Sequence, residues 1–344
     1  MQTSSVRNKK YSKELQKVIQ EHSLPGMAVG VIKNGRINFC EGFGYASLEW
    51  NKKAATDTVF EIASITKLFT AMAILKLRED GIIDLNQSIA DFFNDIPHTW
   101  ATIKIHHILS HRSGLINYTN LECYQKSTRL DVPRYQKIEW AKEHPLLFNP
   151  GQRWSYDNTG YLLLGYLIEK VSGMKYTEYL EQTIFQPAGL SSTGLNEVGI
   201  IVRNKARGYE IHDNKYKTAP YYSPENTFSD GGLLSTVKDL CQWMQAFFAA
   251  EIINAESMQK MLSPYPTIEQ NEKGMGFACG YGWFLANCHG ESLYGCNGCI
   301  KGYSTSLSHF PDRAMTFIFL TNRGEIDRPD LILHDAILPV FWDE

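Results

Sequence analysis

Ser64 and Lys67 stand three positions apart at the junction between a short apolar run, residues 59–63, and an apolar helical pattern, residues 68–77. A serine at the start of a helix lies near unpaired backbone N–H groups, and a lysine one turn later returns to the same face of the helix. Serine becomes a nucleophile when a base removes its proton, and the neutral amine of a lysine is such a base. The junction therefore predicts a strand that leads directly into a helix, with Ser64 as a nucleophile and Lys67 as its base.

The Ser-x-x-Lys spacing also begins at Ser172, Ser235 and Ser257, so the motif alone is weak evidence. Ser172 lies beside a glycine among loop-forming residues, and Ser257 falls within an amphipathic helical pattern. Ser235 has the position of a helix cap, and Ser64 has a similar structural interpretation. A catalytic interpretation of Ser64 therefore requires partners elsewhere in the chain.

Length and composition are those of an ordinary globular protein, since the 344 residues are 43% apolar and 21% charged. The formal net charge is only −3, without a dense cluster of Lys and Arg, which argues against nucleic acid as a partner. The sequence has no apolar run of about 18 residues and no signal-peptide core at its start, so we expect no membrane span. The sequence as written is typical of a cytoplasmic protein, and a removed export signal would instead indicate a periplasmic or secreted one.

The seven cysteines are an odd number scattered over a long chain, which favours free thiols in a reducing compartment over a disulfide framework. Four of them are close in sequence: Cys279, Cys288, Cys296 and Cys299. The spacing of Cys296 and Cys299 is that of zinc knuckles and redox sites, but the other pair is eight residues apart and the surrounding residues alternate like a strand. We therefore expect buried thiols and no metal. His107 and His111 share a helix face without an acidic third ligand nearby, so we interpret them as structural.

Hydrophobic periodicity predicts a helix over residues 10–21, then a hairpin whose turn is Asn34-Gly35, and then the helix that follows Ser64. Residues 81–226 are mainly helical and loop-rich, and strand patterns return at residues 279–285, 292–296, 303–310 and 315–321. Early and late strands must meet in one sheet. We therefore expect residues 1–80 and 227–344 to form an α/β sheet lobe of the α+β type, residues 81–226 a helical lobe, and an active site in the cleft between them.

Tyr156 and Asn158 form a second candidate constellation, in a turn-forming loop that leads into a helix. A tyrosine hydroxyl near a lysine can move a proton, and an asparagine can donate a hydrogen bond to a substrate carbonyl. The structural alternative is that Tyr156 packs and Asn158 caps the helix. Tyr118 and Asn120 have the same spacing, so the pair carries little weight by itself.

The order of three motifs is more specific: Ser-x-x-Lys at a helix start, Tyr-x-Asn about ninety residues later, and a glycine-rich strand near the C-terminus. With the segments at residues 102–115 and 231–236, this order resembles the serine β-lactamase and penicillin-binding-protein superfamily over about residues 24–322. The likeness is closest to the class C β-lactamase-related group, which includes β-lactamase-fold esterases, D,D-carboxypeptidases and D-aminopeptidases. It implies an antiparallel sheet flanked by N- and C-terminal helices, with a mainly helical inserted lobe.

The resemblance also implies roles for individual residues. Ser64 would attack a carbonyl, Lys67 would be its base, Tyr156 would pass a proton to the leaving group, and Asn158 would orient the substrate amide. The oxyanion would lie between the backbone N–H groups of Ser64 and of Cys299, which directly follows Gly298 of the third motif. The implied chemistry requires no cofactor.

Cys296 departs from this pattern, because related proteins have a Lys or His at the first position of the third motif. That cation helps to bind the carboxylate of penicillins and peptide C-termini, and a neutral thiol does not. Lys301 is a candidate for a displaced positive charge. A reactive Cys296 thiolate is another hypothesis, with an inert thiol as the default.

We therefore expect a serine hydrolase that forms an acyl-enzyme from small-molecule ester or amide substrates, with D-amino-acid peptides and β-lactams among the candidates. Carboxylate-bearing substrates should be disfavoured and β-lactamase activity weak. The alternative is a penicillin- or peptide-binding sensor or scaffold of the same fold, and a zinc- or redox-linked protein is a third class. The sequence leaves the oligomeric state open.

Overall fold

The computed structural model describes residues 2–265, 278–288 and 290–342. Its strands, in chain order, are β1 Gly26–Lys33, β2 Arg36–Ser47, β3 Lys52–Lys53, β4 Val59–Glu61, β5 Gly194–Leu195, β6 Tyr209–His212, β7 Lys215–Thr218, β8 Leu233–Thr236, β9 Ala278–Cys279, β10 Phe284–Cys288, β11 Glu291–Ile300, β12 Tyr303–Phe310 and β13 Met315–Thr321. Its helices are α1 Gln2–Glu21, α2 Thr66–Glu79, α3 Ile105–Leu109, α4 Glu122–Ser127, α5 Gln136–Lys142, α6 Asn158–Ser172, α7 Tyr176–Leu180, α8 Val237–Phe248, α9 Ala255–Leu262 and α10 Pro329–Leu331.

Among the residues that the structure describes, the main sheet has eight antiparallel strands in the spatial order β3-β2-β1-β13-β12-β11-β10-β9. The β1–β2 hairpin closes through Asn34 and Gly35, whose φ angles of 49° and 71° are those of the tight turn that this dipeptide favours. On its other side β1 pairs with β13, from Met27 opposite Thr321 to Lys33 opposite Met315. The predicted meeting of early and late strands in one sheet is therefore confirmed.

Helices cover both faces of this sheet. On one face, α1 and the C-terminal helical segment pack together, with Tyr11, Phe39 and Phe341 in a buried aromatic group. On the other face α8 lies against β1, where a Cβ atom on Gly30 would be 2.4 Å from the Cys241 sulfur. The short distance leaves room only for glycine at position 30. The absence of a side chain there lets α8 pack directly against the sheet.

The α2 helix runs through the centre of the larger core. Its residues are buried on nearly all sides, which is typical of a central helix rather than an amphipathic surface helix. It ends before Gly81, whose φ of 72° breaks the helical path. Most helices between α2 and α8 belong to the inserted, mainly helical part of the fold.

The structure differs from the predicted elements in two places. The strand predicted over residues 279–285 is divided into β9 and β10 by a turn at Gly282, whose φ is 80°. The β6–β7 hairpin was not predicted within the helical region. Among the described residues, no helix combines the length and apolar character that crossing a bilayer requires.

Candidate active site

Ser64 lies where the strand β4 turns into α2. The strand pairs with β8, and a single helical turn, Ala63–Ile65, connects it to the helix. Ala63 has a left-handed φ of 47°, an unfavourable conformation for a residue with a side chain. The sharp turn leaves Ser64 half-buried between buried neighbours, so its hydroxyl reaches the surface of the site.

Lys67 is buried on the first turn of α2, with 1% of its surface exposed. Its Nζ donates to Ser64 Oγ at 3.3 Å, to Asn158 Oδ1 at 2.7 Å and to the backbone oxygen of Asp230 at 2.5 Å. Three acceptors match the three N–H donors of a lysine ammonium, so this buried amine has a full set of partners. Its weakest contact is the one to Ser64.

The Tyr156 hydroxyl lies 2.8 Å from Ser64 Oγ, closer than Lys67 Nζ. The ring packs against His111, with 4.5 Å between ring centroids, and it faces Phe284 in a stacked arrangement at 6.4 Å. The Lys67 ammonium lies 5.0 Å from the centroid of the Tyr156 ring. The Tyr156 side chain therefore contacts the Ser64 hydroxyl through its own hydroxyl and the Lys67 ammonium through its ring.

His111 accepts two hydrogen bonds from the loop that carries Tyr156. Its backbone oxygen accepts a hydrogen bond from Ser155 N–H at 2.9 Å, and its Nδ1 accepts one from Asp157 N–H at 3.3 Å. Burial lowers the pKa of His111 well below its usual value, and the neighbouring Lys67 charge acts in the same direction. The imidazole is therefore neutral, which fits its role as an acceptor packed among aromatic rings.

Asn158 has both ends of its amide in use. Its oxygen accepts from Lys67, and its Nδ2 donates to Asn117 Oδ1 at 3.2 Å. The cap of α6 is Asp157, not Asn158, since the Asp157 carboxylate accepts from Gly160 N–H at 2.5 Å and from Ser113 Oγ at 3.0 Å. The structural alternative that Asn158 caps the helix is therefore wrong.

Asn117 and Asp230 were missed by the sequence reasoning. The Asp230 side chain is buried and accepts a hydrogen bond from the Tyr118 hydroxyl at 2.7 Å, which holds the Asp230 backbone oxygen against Lys67. An acidic residue directly before the Gly231-Gly232 pair was a signal that could have indicated Asp230. Nothing local to Asn117 indicated its contact with Asn158.

Gly298 brings β11 against the turn that carries Ser64. A Cβ atom at this position would lie 2.5 Å from the Ile62 backbone oxygen and 3.0 Å from Ala63 Cβ. Beyond Gly295 the strand β11 has lost its pairing with β10, among the described residues, so this stretch has an open edge. Only a residue without a side chain permits such an approach of the strand to the serine turn.

The alternation of an antiparallel ladder sets the direction of the next backbone N–H. Ile300 and Tyr303 pair across a two-residue turn between β11 and β12. Because such a closing pair is hydrogen-bonded and the pattern alternates from it, the N–H of Cys299 is directed away from β12 and toward the open edge. The predicted backbone donor therefore lies on the side of the strand that can receive a ligand.

Cys296 is 3% exposed, and its Sγ is 3.6 Å from the Ser64 backbone oxygen. Burial raises the pKa of the Cys296 thiol to about 12, although the Lys67 charge opposes the shift. The group is therefore a neutral thiol in the position where the resemblance predicts a cation. Cys299 is exposed and its Sγ contacts the Ile326 backbone oxygen at 3.1 Å, so the two side chains point to opposite faces of β11 and do not form a zinc knuckle.

Lys301 does not replace the missing cation. Its Nζ lies 3.4 Å from carboxylate oxygens of both Glu210 and Glu325. The side chain is therefore engaged with two acidic groups at the far end of the β11–β12 turn. Near this turn is a groove of about 720 Å³, whose lining includes Glu61, Lys205 and Tyr222.

Comparison with known proteins gives a consistent result. Residues 12–340 match the model of the family described as Beta-lactamase. Penicillin-binding protein 4* of Bacillus subtilis (strain 168) is 28% identical over 324 residues, which cover 89% of this chain and 70% of that protein. The octameric penicillin-binding protein homologue from Pyrococcus abyssi has a similar structure, with a TM-score of 0.84, 30% identity, and coverage of 96% of this chain and 76% of that one. The D-amino acid amidase from Ochrobactrum anthropi SV3 shares the fold, with a TM-score of 0.83, 22% identity, and coverage of 97% and 99%.

Proposed function

The chain belongs to the beta-lactamase family, and from that premise we propose that it is a serine hydrolase that forms an acyl-enzyme on Ser64. The observation that carries the proposal is the position of Ser64 Oγ, 2.8 Å from the Tyr156 hydroxyl and 3.3 Å from Lys67 Nζ. A serine hydroxyl with an amine and a phenol in reach is arranged for proton removal, since either group can accept a proton in its deprotonated form.

The proposed first step is the attack of Ser64 Oγ on a substrate carbonyl. The serine proton passes to the Lys67 and Tyr156 pair, in which either a neutral amine or an ionised phenol must be present to accept it. We assign the transfer to the pair because Lys67 has a full set of acceptors while Tyr156 is closer. The carbonyl electrons move to the oxygen, which becomes an oxyanion. Backbone N–H groups of Ser64 and Cys299 would stabilise that charge, a contribution of about 3 kcal/mol for each donor.

The second step is the collapse of the tetrahedral intermediate. The bond to the leaving group breaks as Tyr156 returns the proton to the leaving oxygen or nitrogen, and an ester remains on Ser64. Water then attacks the ester carbonyl and gives up a proton to the Lys67 and Tyr156 pair. The bond to Ser64 Oγ breaks, the acid product leaves, and the pair returns a proton to Ser64. Asn158 contributes by holding the Lys67 amine in place, and its own Nδ2 is held in turn by Asn117.

The proposed substrates are esters and amides without a carboxylate next to the scissile bond. Cys296 is a neutral, buried thiol, and Lys301 is engaged with Glu210 and Glu325, so neither offers a positive charge to a carboxylate. Phe284 stacks beside Tyr156 with 6.4 Å between ring centroids, and Trp154 lies edge-on to Phe284 at 6.3 Å, so apolar rings border the site. A neutral leaving group suits this surface better than a charged one.

A time-resolved intact-mass experiment tests the proposal. The protein is exposed separately to an activated ester, a penicillin and a fluorophosphonate, and any adduct is located by peptide digestion. We expect adducts on Ser64, with rapid loss of the ester-derived acyl group and slow reaction with penicillin. An adduct at another residue would contradict the assignment of the nucleophile.

The same experiment distinguishes a second candidate, a sensor or scaffold that acylates without turnover. The observation that favours it is the neutral Cys296 in place of a cation. Persistent adducts from both the ester and the penicillin would support the sensor. No adduct from any of the three reagents would support the scaffold.

A further inference from the structure

A group of possible metal ligands lies outside the serine site, where β6 meets the end of β13. Glu210, His212 and Glu325 have ligand atoms that all lie within 4.8 Å of one another. Glu210 and His212 are two positions apart on β6, so their side chains leave the same face of the strand. The three residues come from two chain segments that the fold brings together.

The backbone holds those segments in a fixed relation. Tyr209 N–H donates to the Asn322 backbone oxygen at 3.0 Å, and Gly324 N–H donates to the Tyr209 backbone oxygen at 2.8 Å. The strand β6 therefore runs beside the residues that follow β13. Glu325 is the next residue after this contact, so its position relative to Glu210 does not depend on a long loop.

Glu210 provides independent evidence for a ligand at this group of residues. Its side chain is 4% exposed, and its Oε1 accepts no hydrogen bond from the residues that the structure describes. The cation that approaches this oxygen is the half-exposed Lys301, at 3.4 Å. A buried carboxylate oxygen without a hydrogen bond is costly, and it is stabilised by a cation that coordinates it directly.

The charges of the group also favour a further cation. Lys301 is shared between Glu210 and Glu325, so one ammonium faces two carboxylates. Arg323 is nearby, but its guanidinium donates to the His22 backbone oxygen. His212 Nε2 lies 3.4 Å from Glu210 Oε2, which leaves room for either a proton on the imidazole or a metal ion between the two groups.

We propose that Glu210, His212 and Glu325 form a binding site for a divalent transition metal, with Zn²⁺ as the probe ion. One imidazole and two carboxylates are a ligand set that zinc accepts, with bonds of about 2.0–2.2 Å. Two such ligands on a tetrahedral ion lie about 3.4 Å apart, the separation that His212 and Glu210 already have. The remaining coordination position is open to water.

Lys301 has a specific part in this proposal, because its ammonium and the metal compete for the same carboxylates. Binding of the ion releases Lys301 toward the groove, whose lining includes this side chain. The ion also ties β6 to the segment after β13. Both effects are local, and neither requires the serine chemistry.

Calorimetric titration of tag-free, chelator-treated protein with ZnCl₂ tests the site. The thiols are first alkylated, because the exposed Cys123 and Cys299 would otherwise bind zinc themselves. We expect one ion per chain, and a loss of affinity of about tenfold or more in His212→Ala and Glu325→Gln. Both side chains are half-exposed, so these variants should fold. His144→Ala, which changes an exposed histidine elsewhere, is the matched control.

Lys301→Met distinguishes this site from nonspecific surface binding. Removal of the competing ammonium should increase zinc affinity several-fold at the proposed site, and should have no such effect on nonspecific binding. Ser64→Ala should bind zinc as the unaltered protein does, which separates this proposal from the proposed hydrolase activity. The proposal is wrong if His212→Ala and Glu325→Gln bind zinc as tightly as the His144→Ala control. It is also wrong if the alkylated protein binds no zinc, in which case Lys301 is the cation that pairs with the two carboxylates.

Discussion

Gly298 passes so close to Ile62 that a Cβ atom on the glycine would lie 2.5 Å from the Ile62 backbone oxygen. This contact holds β11 against the turn that carries Ser64. We expect Gly298→Ala to push the strand and the turn apart, and so to misplace the backbone donors for the oxyanion. The rate of acylation by an activated ester should fall by about 100-fold or more, as when one such donor is lost.

Gly295→Ala is the matched control for this prediction, because the nearest atom to a Cβ at position 295 is 3.7 Å away. It lies on the same strand, and its acylation rate should stay within a few-fold of the unaltered protein. Equal losses in the two variants would show that β11 tolerates no side chain at either position, and that the Gly298 contact has no special relation to the site.

Ser64→Ala should fold normally and lose all covalent labelling, because the change removes only a half-buried hydroxyl. The control is Ser172→Ala, at another Ser-x-x-Lys position, where the hydroxyl donates to the Ile168 backbone oxygen at 2.6 Å. Intact mass after treatment with a fluorophosphonate measures the outcome. Labelling that survives in Ser64→Ala would identify a different nucleophile.

The sequence predicts the parts of this fold that depend on local patterns. The strands β12 and β13 have the predicted bounds, since each is a dense run of strand-forming residues that ends at turn-forming residues. The predicted helix over residues 10–21 begins earlier, at Gln2, because the polar residues before it carry no stop signal. The β6–β7 hairpin was missed, although its Asp213 and Asn214 both adopt the left-handed conformation that these residue types tolerate.

The candidate active site also contains contacts that local sequence predicts and contacts that it does not. Ser64 and Lys67 are neighbours on one helical turn, so their proximity follows from spacing alone. The contact between Lys67 and the Asp230 backbone oxygen joins residues 163 positions apart, and no local pattern predicts it. The direction of Lys301 is also a tertiary property, because it depends on where Glu210 and Glu325 lie. The roles of these residues in catalysis stay predictions until they are measured.

His111 should make the stability of the protein sensitive to acid. Its pKa in the folded state lies well below the usual value of 6.5, so below pH 6.5 the unfolded chain binds a proton that the folded chain does not. The contribution of His111 to stability is therefore complete above pH 6.5 and is lost as the pH decreases. The loss approaches about 1.4 kcal/mol for each pH unit.

Urea unfolding between pH 7 and pH 5 measures this effect. The free energy of unfolding should fall less steeply with acidification in His111→Gln, which has no group to protonate. His98→Gln, at an exposed position, should keep the slope of the unaltered protein. Identical slopes in all three proteins would mean that His111 becomes protonated without unfolding, and that its burial is not maintained in solution.

Cys296→His should increase acylation by a penicillin relative to acylation by a neutral ester. The introduced imidazole would stand beside the backbone of Ser64, where the present Sγ lies 3.6 Å from the serine oxygen. A partly protonated histidine can attract the penicillin carboxylate, and a neutral ester gains nothing from it. The ratio of the two rate constants, from time-resolved intact mass, should therefore shift toward penicillin by about tenfold, which corresponds to about 1.4 kcal/mol.

Cys296→Ser is the matched control, because it removes the thiol without adding a charge. If the serine variant shifts the ratio as far as the histidine variant does, the size of the side chain decides the preference and the charge does not. If neither variant changes the ratio, the carboxylate is bound elsewhere, and the absence of a cation at position 296 does not explain substrate choice. The shift in the histidine variant should disappear as the pH rises above the pKa of an ordinary histidine. That result would assign the effect to the imidazolium, since only the charged form attracts the carboxylate.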